Sequence, residues 1–262
     1  MPAKIRIAAI EVSHWHSLYD AAYLRLLAGM DDVQLVGLHD PDAAVVAERA
    51  AATQAFVAVP LSQRYQPFVA RARRMLDEGR FGPLSHVYLR LNRPTSARYP
   101  AWNSRWMLDP AVAGGGCLRN LGSHGFDLFL HLTGEPARVT AAQLSARVHG
   151  QRVEDYASVL LRSSSGVLGT IEIGNTVPYA GTDGEWKIAG RDAILILHHD
   201  DTLRLITREG EEISTERPAA LYPDCVRDIL EHWRRGAPPP ISVHDLVPVV
   251  RLIDEAYALA VR

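Results

Sequence analysis

The sequence predicts an α/β unit followed by an α+β unit: a truncated parallel sheet, then a larger domain with an open, mainly antiparallel sheet. Three observations predict this. The first 80 residues alternate short apolar runs with helix-like segments, the pattern of strands joined by crossover helices. Beyond residue 84, runs that alternate apolar and polar side chains dominate. Between these patterns lies one long helix, over 117–132, preceded by three consecutive glycines. The chain divides accordingly into 1–80 and 81–262, with helix 117–132 expected to pack against the first domain.

Bulk properties exclude several classes. Of 262 residues, 47% are apolar and 22% charged, a globular composition unlike that of disordered chains. A formal net charge of −2 gives no reason to expect nucleic acid or an anionic membrane as partner. No apolar run approaches bilayer-spanning length, and no signal-peptide core stands at the start. Cys117 and Cys225 support neither a disulfide framework nor a zinc cluster, so a cytoplasmic setting is expected. The basic residues are nearly all arginine; the only lysines are Lys4 and Lys187.

Taken in order, Ile5–Ile10 reads as a strand buried on both faces. The loop Glu11-Val12-Ser13-His14-Trp15-His16 follows, and Ser17 is placed to cap a helix reaching Ala28 and Gly29. Val33–Leu38 forms the second strand, ending at His39-Asp40, and Pro41-Asp42 opens a second helix through Arg49. This β-α-β-α order begins a Rossmann-like sheet, in which an acidic residue ending the second strand holds the adenosine ribose. Asp40 occupies that place and favours NAD over NADP. Ser13, His14, Trp15 and His16 occupy the phosphate loop, where helix N-terminal amides can hold a phosphate although the loop has no glycine. His14 and His16 with Glu11 also allow a metal reading, set against zinc's need for three or four ligands; no metal site is expected. After Ala52 one further strand, Phe56–Val59, precedes a helix over Pro67–Glu78, so the middle of the sheet is expected to be missing.

In the second domain, Ser85–Leu91 alternates, and Arg105-Trp106 leads to Gly114-Gly115-Gly116 and the long helix. Glycines there allow close approach of another backbone or a ligand. Asn120, His124, Asp127 and His131 are four, three and four apart, so they form one polar stripe among leucines. Such a stripe needs partners or a cleft. Asp127 can pair with His131 or cap a loop; His124 and Asn120 can be satisfied core residues or face a ligand. Tyr156–Leu161 and Val167–Ile173 read as a hairpin, and 185–189, 193–197 and 203–207 continue a meander. The His198-His199-Asp200-Asp201 turn reads as a solvated tip, and helices over 224–234 and 243–260 close the chain.

The segment from Arg105-Trp106 through Asp127 resembles the signature of the Gfo/Idh/MocA family, G-G-G-x-L-x-D-x-G-x-H-x-x-D. Glu78-Gly79-Arg80-Phe81-Gly82-Pro83-Leu84, and Gln63-Arg64-Tyr65 with Pro67, are similar to the family's entry into its second domain. The resemblance implies an oxidoreductase that moves hydride between NAD or NADP and a sugar, polyol or related hydroxy or keto compound. It implies His124 as catalytic acid or base, Asn120 at the place of a family aspartate as its catalytic companion, and Arg105, Trp106 and Asp127 as substrate-binding residues. It also implies a homodimer or homotetramer through the C-terminal sheet. The family's Glu-Lys-Pro lysine has no counterpart, which leaves open a non-catalytic relative that keeps the fold. A metal-dependent hydrolase built on His14, His16 and Glu11 is a third possibility.

Overall fold

A computed structural model describes residues 4–10, 23–39, 55–94, 96, 99–101, 104–216 and 220–260. The chain separates into two compact units, each described by itself. The first comprises 1–62, 101–104 and 220–247; the second comprises 63–100, 105–219 and 248–262. The first unit thus takes in a C-terminal segment that a division at residue 80 assigns to the other domain.

In the first unit, β1 (Ile5–Ile10) and β2 (Val33–His39) pair in parallel, flanked by α1 (Tyr23–Ala28). The register pairs Ile5 with Val33 at one end and Ile10 with His39 at the other. Ile5 and Val33 pack with Val226 and Leu230 of the helix α4 (Leu221–Arg234), and Tyr23, Leu26, Leu27 and Met30 close around them. Tyr23 meets Tyr222 edge-to-face at 5.7 Å and donates its hydroxyl to the Pro60 carbonyl. The expected third strand at 56–59 is reduced to one antiparallel bridge, Ala58 with Ser242, where the Val59 amide donates to the Ile241 carbonyl. Among the described residues this segment pairs with those just before the last helix and not with β1 or β2. Among the described residues the parallel sheet has two strands, against about six in a complete dinucleotide domain.

The second unit is an eight-stranded sheet covered on one face. Its strands are β3 (Leu84–Asn92), β4 (Ala137–Ser145), β5 (Tyr156–Ser163), β6 (Leu168–Gly174), β7 (Asp183–Gly190), β8 (Ala193–His198), β9 (Thr202–Thr207) and β10 (Gly210–Thr215), in the order β10-β9-β8-β7-β3-β6-β5-β4. The β5–β6 hairpin and the β7-to-β9 meander form as expected. β6 and β7, however, are not neighbours. β3 runs between them, parallel to β6 and antiparallel to β7. Its alternation explains why it can be central: Val87, Leu89 and Leu91 point to the covered face, while Tyr88 and Arg90 point to the open one.

The cover is supplied by α2 (Pro67–Asp77) and α3 (Cys117–Thr133). Pro67 sits at the start of α2, where a missing amide costs nothing, and Phe68, Val69, Ala72 and Met75 form its buried stripe. Gly134 ends α3 in the left-handed conformation (φ 67°) that glycine adopts without strain. The helix α5 (Val243–Leu259) follows α4; its residues from Pro248 onward belong to this unit.

Candidate functional site

The site is built on α3, whose first turn is unusually well held. The Gly116 amide donates to both carboxylate oxygens of Glu154 at 2.8 and 2.9 Å, and the Leu118 amide to one of them at 3.0 Å. The Cys117 amide donates to the Glu154 carbonyl. Buried negative charge at a helix N-terminus satisfies donors that have no partner within the helix. The Tyr257 hydroxyl donates to Glu154 at 2.6 Å and accepts from the Arg119 amide. Arg119 lies over the Tyr257 ring and pairs with Asp254. Burial, and then the nearby Glu154 charge, push the Tyr257 phenol and the Cys117 thiol well above their ordinary values, so both stay protonated.

Of the two approaches the triple glycine permits, a backbone or a ligand, the structure shows groups of the chain itself. A Cβ on Gly116 would lie 2.2 Å from the Glu154 carbonyl oxygen, and one on Gly115 would lie 2.0 Å from the Tyr257 hydroxyl. Farther along α3, a Cβ on Gly125 would lie 2.6 Å from an Ile171 methyl, so that glycine lets the helix press onto β6.

The polar stripe resolves into distinct environments. Asp127 is only 1% exposed, and its carboxylate receives a two-point pair from Arg64: Nη2 to Oδ1 at 2.6 Å and Nε to Oδ2 at 2.9 Å. Arg64 comes from the one-turn helix Ser62–Tyr65 just before α2. Asn120 donates its side-chain amide to the Tyr99 hydroxyl at 2.7 Å. Half-buried His124 borders a void of about 10 Å³ that is otherwise lined by Leu89, Leu91, Gly125, Leu128, Ile173 and Trp186. That volume is about one water molecule's worth. A larger cavity, about 520 Å³, lies away from the stripe between α2 and β10, with Arg71, Arg74, Arg80, Glu212 and Glu216 in its wall.

Arg105 is exposed and Trp106 half-buried, both in the short helix Arg105–Leu108. Ser13, His14, Trp15, His16 and Asp40 lie outside the described residues, as does Glu11. Among the described residues no three or more His, Cys, Asp or Glu side chains are grouped to hold a metal ion. There too, no helix is long and apolar enough to cross a membrane.

Four participants escaped the sequence reading: Arg64 in its pairing role, Tyr99, Glu154 and Tyr257. Arg64 carried a signal, because Gln63-Arg64-Tyr65 was already singled out as a motif. Tyr99, Glu154 and Tyr257 stand alone in their segments, and only the folded chain brings them to α3.

Comparison with known proteins fits this architecture. Residues 69–196 match the family model described as the GFO/IDH/MocA C-terminal domain. The scyllo-inositol 2-dehydrogenase (NADP(+)) IolW of Bacillus subtilis is 27% identical over 211 residues, 70% of this chain and 56% of that protein. The chain therefore spans little more than half the length of this relative. Among solved structures, an oxidoreductase from Agrobacterium radiobacter in complex with NAD+, L-tartaric acid and magnesium superposes with a TM-score of 0.73 at 14% identity, covering 98% of this chain and 96% of that one. An inositol dehydrogenase homologue from Azotobacter vinelandii complexed with NAD+ gives 0.73 at 15% identity, covering 100% and 97%. These two likenesses establish the fold. With the signature running from Gly114 into α3 as far as Asp127, residues 69–196, from α2 into β8, carry a C-terminal domain of the Gfo/Idh/MocA family.

Proposed function

We propose that the protein is a nicotinamide-dependent oxidoreductase acting on a sugar, polyol or related hydroxy or keto compound, with His124 as its acid/base. The observation that carries this reading is the placement of Asn120 and His124 one turn apart on the same face of α3, inside the family's domain. An imidazole titrates near neutrality, so His124 can take the proton of a substrate hydroxyl as hydride leaves the carbon, and return it in reduction. Asn120 orients that hydroxyl; an amide hydrogen-bonds but carries no proton. Arg105 and Trp106 are the proposed substrate-binding residues. Asp127 serves the same site indirectly, by fixing the helix that carries the pair.

The relatives support a nicotinamide cofactor: IolW is named for NADP(+), and both solved structures hold NAD+. The described part of the first unit fits one. Parallel β1 and β2 end in register at Ile10 and His39, and ligands of open α/β sheets gather at such carboxyl ends. In the sequence Ser13 to His16 follow Ile10 closely and Asp40 follows His39, and on this reading they would hold the phosphates and the ribose. When bound, a nicotinamide accepts or supplies the hydride.

Fluorescence titration with NADH and NADPH, followed by turnover assays on an inositol and aldose panel, tests the reading. Binding of either cofactor is expected, together with turnover that falls at least a hundredfold in His124→Ala, as loss of a general base predicts. Absence of cofactor binding at millimolar concentration would remove it.

A second reading is favoured by two observations: the void beside His124 has room for only about one water, and Lys187 is paired with Glu185 on the open sheet face. In that reading the chain keeps the family fold without redox chemistry. Turnover abolished by His124→Ala eliminates it.

We also infer self-association through the open face of the eight-stranded sheet. There Leu160 of β5 and Leu168 of β6 are exposed on the face that also carries the half-buried Tyr156 and Tyr88, and exposed apolar side chains grouped on a sheet face are a mark of association.

A further inference from the structure

The Tyr99 side chain is 2% exposed, yet its hydroxyl is the meeting point of two side-chain amides. Asn120 donates to it from α3 at 2.7 Å, and Asn175, which follows β6, donates from the other side at 3.4 Å. Asn175 is itself anchored by its backbone. Its amide donates to the Asp155 carbonyl at 2.8 Å, and its carbonyl meets the His149 ring nitrogen at 2.7 Å. The His149 amide in turn donates to the Asp155 carboxylate at 2.8 Å. Burial raises the Tyr99 phenol above its ordinary value, so the group stays a neutral hydroxyl at any physiological pH. Two acceptors of this cluster, Asp155 Oδ1 and Asn175 Oδ1, are buried without a donor. A fold kept only for stability would not favour such a cost, and buried polar groups left partly satisfied cluster where function constrains the chain.

An asparagine side chain on a helix has two soft torsions, and its amide can present either end. A buried phenol oxygen at 2.7 Å from Nδ2 holds both torsions. We propose that Tyr99 is a positioning residue, which through its buried hydroxyl and the Asn175 anchor sets the orientation of the Asn120 amide beside His124 and thereby the geometry of the substrate hydroxyl. The proposal rests on the oxidoreductase reading for its consequence, but its physical content, the fixed amide, does not.

The test uses the full chain and two readouts. The first is independent of activity. In 15N-labelled protein, the side-chain NH2 resonances of Asn120 are assigned by their loss in Asn120→Asp, and their contacts with the Tyr99 ring protons are recorded. We expect direct contacts in the wild type and shifted, faster-exchanging Asn120 amide protons in Tyr99→Phe, which removes one oxygen and keeps the ring. Missing wild-type contacts, or resonances that stay in place in Tyr99→Phe, overturn the proposal. The wild-type measurement decides alone if Tyr99→Phe does not fold.

The second readout is kinetic. With a polyol that the wild type turns over, Tyr99→Phe is expected to lower kcat about tenfold, the effect of one lost positioning hydrogen bond, with KM within about twofold. Asn120→Ala alone and the double variant should then be equally slow, because both act through one amide. A Tyr99→Phe enzyme as fast as wild type overturns the positioning role. Contacts and shifts as expected, with no turnover by any variant or the wild type, uphold the fixed amide and overturn the oxidoreductase reading.

Discussion

Asp127 lies at the C-terminal half of α3 with its carboxylate almost wholly out of water, and its two oxygens are matched to the forked guanidinium of Arg64. Removing one member of such a pair leaves the other charge buried and uncompensated. Asp127→Ala should therefore cost about 3–5 kcal/mol in urea unfolding, far more than an exposed pair such as Arg73 with Asp77, whose loss should stay below about 1 kcal/mol. The spacing rule that made Asp127 conspicuous points only to helical neighbours, here His131. It is silent about an arginine 63 positions earlier in the chain. The same holds for Asn120. Its place on the stripe was legible, whereas Tyr99, which holds it, was not, because nothing local to Tyr99 marks it.

Among the elements, α3 illustrates what a glycine run is for. The sequence left two readings of Gly114-Gly115-Gly116, an approaching ligand or an approaching backbone; at Gly116 the structure decides for the backbone of Glu154. Gly116→Ala should destabilise the protein by about 1–3 kcal/mol, the usual cost of forcing an extra carbon into a packed site, read as a lower urea midpoint. Glu154→Gln keeps the shape and removes the charge facing the helix N-terminus. A loss of about 1–2 kcal/mol is expected, with faster hydrogen exchange at the Leu118 amide.

At the other end of α3, Glu135 accepts from the Ser165 amide and the Ser164 hydroxyl of the β5–β6 turn. The backbone hydrogen bond from Ser165, reinforced by the serine hydroxyls, holds its carboxyl at about 2. The native form thus prefers the ionised group more than the unfolded chain does. Its stabilising contribution is complete above the unfolded carboxylate range and fades as pH falls toward about 2. Glu135→Gln should flatten that acid limb and leave the pH 5–8 region parallel to wild type.

Two strands, β4 and β10, were not foreseen. The alanines at 137, 141 and 142 and the glutamates at 211 and 212 give little period-two contrast, and both strands lie on sheet edges where burial selects weakly.

At the level of the whole molecule, the consequential feature is β3. A meander read from sequence order would join β6 to β7, but β3 separates them and supplies Leu89 and Leu91 to the wall beside His124. It also carries Tyr88 and Arg90 onto the open face. There the Tyr88 hydroxyl meets Glu172, Arg90 pairs with Asp183, and Lys187 lies over the Tyr88 ring. If this face self-associates as proposed, Leu168→Arg should shift the sedimentation coefficient to that of a 28.9 kDa monomer while leaving the circular dichroism unchanged. An unchanged sedimentation profile sinks that proposal.

The amino-acid sequence by itself determined the class of each unit, the positions of β1 to β3, β5 to β9, α2 and the three long helices of residues 117 onward, and the polar stripe on α3. Each of these follows from local periodicity and punctuation: Pro67 opening α2, Gly134 closing α3, alternation along the strands. The tertiary structure alone decided which strands are neighbours, that Asp127 is neutralised by Arg64, that Glu154 and Tyr257 fill the space the glycines leave, and that Tyr99 holds Asn120. Those pairings join residues tens to more than a hundred positions apart. Their energy depends on distance and burial in the folded chain, quantities that no spacing along the sequence encodes.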